Sequence, residues 1–163
     1  MNVEDLAKLL GTLESSISFQ LATSIVCGGV VGLERQLRGK AIGIRTGILI
    51  CLATQVFVRL SVTTDSAGAD PTRVLGQVVT GVGFLGAGVI LARGGAITGV
   101  TSASVVWMLA AIGSTIGVGR PIEGLALSVL VVAILIGVRR LESIFTRLRG
   151  GSDEPEEPDD PMA

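Results

Sequence analysis

Glu34-Arg35-Gln36, Arg38, Lys40 and Arg45 form the densest run of ionisable and hydrogen-bonding side chains in the chain, and they flank apolar stretches on both sides. Acid and base this close together at a membrane boundary are costly unless they pair, so an ionisable group there is a functional candidate by default. Arg38 and Lys40 read as solvated anchors. Glu34 and Arg45 are expected to pair with each other across a hairpin. A second polar set runs Asp70-Pro71-Thr72-Arg73 and, one helical turn on, Gln77. Asp at the N-cap followed by Pro opens a helix, and Arg73, Gln77 and Thr80 then carry a polar strip inward. Glu34, Arg35, Arg38, Arg45, Asp70, Arg73 and Gln77 are thus the candidate functional polar network.

Other chemistry is poorly served. The chain has no His and only two Cys, Cys27 and Cys51. With no ligand-spaced cluster, no metal site and no cofactor is expected. The two thiols are expected at similar depth as small packing residues. Gly81-Val-Gly83-Phe-Leu-Gly86 has the letters of a dinucleotide fingerprint. It lies inside an uninterrupted apolar run rather than at a strand–helix turn, so a nucleotide site is rejected. No nucleophile stands beside a base, and an enzyme is not expected.

The elements that must position these residues are five apolar stretches: Ile17–Leu33, Ile44–Val62, Val74–Ala92, Ile97–Val118 and Ile122–Val138. Each approaches the roughly 20 residues that a helix needs to cross about 30 Å of hydrocarbon. The third contains no charge before Arg93, where a helix facing water would show a polar face at every turn. The fold class is therefore all-α: a polytopic membrane protein of about five transmembrane helices. Gly76, Thr80, Gly83 and Ala87 make a small-residue stripe on the third stretch, and Gly99 and Ala103 begin a looser one on the fourth. Such stripes let helix backbones approach. Trp107, in mid-stretch, is expected between helices.

Positive charge sets the orientation. Arg35, Arg38, Lys40, Arg45, Arg93, Arg139, Arg140, Arg147 and Arg149 fall on one side, and only Lys8, Arg73 and Arg120 on the other. Nine against three places the N-terminus outside and the C-terminus in the cytosol. Residues 1–16 read as an amphipathic lead-in, 17–138 as the five-helix domain, and 139–150 as a basic interfacial helix on an anionic leaflet. The acidic, proline-rich residues 151–163 read as a disordered tail. The expected partners are the lipid bilayer and another membrane protein or a second copy; nucleic acid is not expected.

Gly28–Thr46, Asp70–Ile90 and Ile97–Gly119 together resemble the MgtC/SapB family in order and spacing. Positions matching its pattern include Glu34, Arg35, Gln36, Gly39, Lys40, Arg45, Thr46, Asp70, Pro71, Arg73, Gln77, Gly81, Gly83, Gly86 and Gly88. The resemblance implies a bacterial inner-membrane protein of about five helices. It also implies a link to growth under magnesium limitation and, in pathogens, to survival inside host phagocytes. Some relatives carry a soluble domain after the helices; a basic helix and acidic tail in its place favour the shorter, SapB-like form. Two functions follow. One is a non-enzymatic modulator of magnesium homeostasis, membrane energetics or envelope stress. The other is a transporter of Mg²⁺ or another ion, for which the nearest carboxylates (Glu34, Asp65, Asp70, Glu123) all lie at boundaries or in loops, while Arg45 and Arg59 lie inside a stretch and would repel a cation.

Overall fold

The computed structural model describes residues 16–63, 71–93 and 96–149. They form α1 (Ile17–Leu37), α2 (Ile44–Thr63), α3 (Pro71–Val89), β1 (Leu91–Arg93), β2 (Ala96–Thr98), α4 (Val100–Gly117) and α5 (Pro121–Arg149). All five helices are long and apolar enough to cross a membrane. Their outward faces carry Val26, Phe57, Phe84, Val129 and Leu130, all at least half exposed. Surface of that kind is stable against lipid, not water. Asp70, residues 1–15 of the lead-in and the acidic tail lie outside the described residues.

Two helix ends are closed by the same device. At the end of α1, Gly39 adopts φ +62°. Its N–H donates to Gln36 O, and Lys40 N–H reaches Arg35 O. At the end of α4, Gly119 (φ +89°) and Arg120 repeat the pattern onto Ile116 O and Thr115 O. This double bond pattern with a left-handed glycine satisfies carbonyls that the helix itself leaves free, and it turns the chain sharply into the next helix.

The third and fourth apolar stretches are not joined as expected. Leu91–Arg93 and Ala96–Thr98 form a short antiparallel hairpin with Ala92 opposite Ile97. The sequence between these strands is Gly94-Gly95, a pair that favours tight hairpin turns and outweighs the apolar run on either side. The chain then enters α4 through Gly99 at φ +91°, where a Cβ would run into Val89 O. The basic segment after the fifth stretch is continuous with it, since α5 runs unbroken to Arg149.

The described residues up to Val132 form one compact unit and those from Ala133 a second. Within the first, α2 packs chiefly on α1 and α4, and α4 also carries α3. Glycine makes these contacts close. A Cβ on Gly28 would lie 2.5 Å from Gly47 O, and one on Gly32 would lie 2.7 Å from Gly43 O. A Cβ on Gly113 would overlap Thr54 Oγ1 and Cys51 O. Here helix backbones touch, giving the dispersion contacts that stand in for a hydrophobic driving force in lipid. Val31, Cys27, Cys51, Leu109, Ile112 and Ile116, all fully buried, fill the space between.

Candidate functional site

The α1/α2/α4 core carries polar side chains at both of its ends. At the end holding the α1–α2 turn, α1 stays helical through its polar last turns because the Gly39 cap lies beyond them. Glu34 and Arg35 therefore project from a helix and are buried (9% and 4% exposed). Arg35 Nη2 donates to Ser102 Oγ at 2.6 Å, tying α1 to the first turn of α4. Arg38 Nε donates to Glu34 Oε1 at 3.0 Å, an ion pair one turn apart. Gln36 Oε1 accepts the Ile44 N–H at 3.2 Å and so caps the start of α2 across the turn. Arg35 Nε and Glu34 Oε2 are buried and have no hydrogen-bond partner.

At the opposite end a second group lies between α1 and α2. Gln20 Oε1 accepts from Arg59 Nη1 at 2.6 Å and from Gln55 Nε2 at 3.3 Å. Gln20 and Gln55 are essentially inaccessible (1% and 0% exposed). Ser24 and Ser128 add two more buried hydroxyls along the same core. A guanidinium inside a helix bundle must find acceptors, and here a single amide oxygen supplies them for Arg59.

The expected network thus divides. Glu34, Arg35 and Arg38 come together. Arg45 does not join them: it is exposed, and the expected Glu34–Arg45 pair is replaced by Glu34–Arg38. The reason is geometric. Gly43 and Gly47 face α1, and Arg45, two residues from each, is rotated about 200° away from that contact. Arg73 and Gln77 are exposed on α3.

The small-residue stripe of α3 divides too. Gly83 and Gly86 face Trp107 of α4, with Ala103 also close to Gly86. Gly76 has open space around it, Thr80 is exposed and bonds its own helix at Gly76 O, and Ala87 is exposed. Trp107 lies against α3 yet keeps 44% of its surface exposed. Cys27 and Cys51 are both buried and free. Sequence reasoning missed Gln20, Gln55 and Ser102. The signal available was a long amide inside each of two apolar stretches, one turn before Arg59 in the case of Gln55.

Chemically, both ends present guanidinium and amide groups held by neutral oxygens or by one carboxylate. Among the described residues no group of three or more His, Cys, Asp or Glu could hold a metal ion. The contacts that these groups make pin α1 to α4 at one end and α1 to α2 at the other.

A model of the MgtC family matches residues 21–144, which take in both polar ends except Gln20. The chain belongs to the MgtC family. It is 44% identical over 131 residues to the YhiD protein of Escherichia coli K12, provisionally named a magnesium transporter; the match covers 76% of this chain and 60% of the relative. It is 35% identical over 137 residues to Protein MgtC of Brucella abortus, covering 83% of this chain and 57% of that protein. The chain therefore matches somewhat over half the length of these MgtC-family relatives. No solved structure gives a significant match. This MgtC-family chain is a multi-pass membrane protein, with five helices long and apolar enough to span a bilayer.

Proposed function

We propose that this chain is a non-enzymatic modulator in a bacterial inner membrane, with its N-terminus outside and its C-terminus in the cytosol. It docks on another membrane protein or on a second copy and serves adaptation to magnesium limitation or envelope stress, and in pathogens survival inside host cells. The observation that carries this reading is the identity of the ionised groups in the core. Arg35 stands at one end and Arg59 at the other, while Glu34 is engaged by Arg38. Fixed guanidinium groups in a low-dielectric interior repel a divalent cation, and a Mg²⁺ path normally needs carboxylates, carbonyls and retained waters instead. The charge distribution of the loops supports the orientation.

A second reading, magnesium transport, is favoured by the provisional name of the Escherichia coli relative. Reconstitution decides between them. The protein is placed in liposomes enclosing a Mg²⁺-sensitive dye, and a Mg²⁺ gradient is imposed. Modulation predicts no flux above empty vesicles from folded protein. Flux that disappears on Asp70→Asn or Gln77→Leu overturns it and makes this a small transporter.

A further inference from the structure

An open groove of about 750 Å³ runs between α2 and α3, and the polar network described above makes no use of it. Its walls run from Ile50 to Ser61 on α2 and from Val74 to Leu85 on α3, with Gln77 and Gly81 between. Both walls span twelve residues, that is eleven helical rises, so the groove extends about 16 Å along the helices. That is about half of a hydrocarbon core some 30 Å thick, the depth of one leaflet. It ends where α3 closes on α4, because just beyond Leu85 the backbone of Gly86 meets Trp107 and Ala103.

At the other end of the groove α3 is polar. Arg73 is exposed and has no ion-pair partner among the described residues, and Gln77 follows about 6 Å further in. Cation, amide and apolar trough succeed one another in the order in which a phospholipid presents phosphate, ester carbonyl and acyl chain. A partner helix would need a groove crossing the whole membrane, and this one stops at Leu85, short of the end of α3. We propose that the α2–α3 groove is a phospholipid site, with one acyl chain between the helices, the ester region at Gln77 and the phosphate at Arg73. The site holds its lipid beyond the ordinary exchange of the surrounding bilayer, because a concave wall contacts the chain on two sides where a convex helix surface touches it on one.

Gly81 provides a clean test, since a side chain there enters open space rather than backbone. Native mass spectrometry of the detergent-purified protein is expected to show one retained phospholipid. Gly81→Leu fills the trough and is expected to lose that adduct while keeping its thermal unfolding midpoint. Gly76→Leu, also in open space but outside the groove wall, is expected to keep it. Arg73→Gln should weaken retention by about tenfold, as for the loss of one charge-assisted bond to phosphate. Absence of any retained phospholipid from the wild-type protein, or equal retention by wild type and Gly81→Leu, overturns the proposal. So does a protein dimer that Gly81→Leu disrupts, which would give the groove to a second copy.

Discussion

α3 and α4 are both apolar, similar in length and rich in small residues, yet 56% of α4's span is buried within the protein against 11% of α3's. The difference lies in what the glycines meet. Gly113 and Gly117 of α4 press on the backbone of α2 at Cys51 and Gln55. Gly76, Gly81 and Gly88 of α3 face open space. A small residue in a membrane helix is thus only a permission for close approach. The approach occurs where the facing helix offers its own small or flat surface, as α2 does to α4 with Cys51 and Thr54 and to α1 with Gly47.

The sharpest way to break this comparison is to put the same side chain on both helices. Gly113→Leu forces carbon into Thr54 and the Cys51 carbonyl, and neither helix can yield without moving its backbone. A loss of about 3 kcal/mol or more is expected, read as collapse of the monodisperse peak after extraction and a lower unfolding midpoint. Gly76→Leu should leave both unchanged. Equal tolerance at the two positions would mean that α4 is not clamped against α2.

The next contrast is between buried and exposed glutamines. Gln20→Leu removes the acceptor shared by the partly buried Arg59 and the fully buried Gln55, at a cost of about 1–3 kcal/mol. The double variant Gln20→Leu/Arg59→Leu should regain only the part due to Arg59, because the buried Gln55 Nε2 still lacks its acceptor. Gln77→Leu on α3, exposed to begin with, should shift the unfolding midpoint little. If the double variant is no more stable than the single one, the pair does more than satisfy itself.

How far the sequence reveals this architecture follows from the same physics. Five helices were legible because hydrocarbon demands long apolar runs, and the chain provides five. The α3–α4 hairpin was hidden because Leu91, Ala92 and Ile97 look like more of the same run; only Gly94-Gly95 marked it. Within the candidate site, Glu34, Arg35 and Arg38 stood out as charges. Ser102 did not, since a serine in an apolar helix usually bonds its own backbone, and only the fold brings it to Arg35 across 67 residues. Arg45 does not pair with Glu34, which the sequence hides because it sets depth in the membrane but does not display rotation about the helix axis. Rotation is set by Gly28, Gly32, Gly43 and Gly47, whose contact no single helix displays.

Arg35 offers a smaller and more local test at the other end of the core. Ser102→Ala removes its hydroxyl partner and should cost about 1–2 kcal/mol. Ser102→Thr, which restores an oxygen at the same place, should recover most of it. Recovery by Thr separates the hydrogen bond from simple packing of α4 on α1. Failure of Thr to rescue would locate the effect in the tight contact around Ala103 instead.

The smallest effect is expected at Arg45, and it separates the two ends of the α1–α2 turn. Arg45→Ala and Lys40→Ala should behave alike, near wild type in unfolding midpoint, because both side chains are exposed and neither holds Glu34. Arg38→Ala is different. It strips the ion-pair partner that Glu34 has among the described residues from a carboxylate whose side chain is 8% exposed and whose second oxygen is already without a hydrogen bond. The pair itself contributes only about 0.3–0.5 kcal/mol if treated as an ordinary surface i,i+4 pair, but removing one partner leaves the other charge buried and uncompensated. Arg38→Ala should therefore lower the unfolding midpoint, while Arg45→Ala tracks wild type. The opposite ranking, with Arg45→Ala the more destabilised variant, would restore the cross-hairpin pair and require α2 to be rotated by about half a turn from the arrangement its glycines impose.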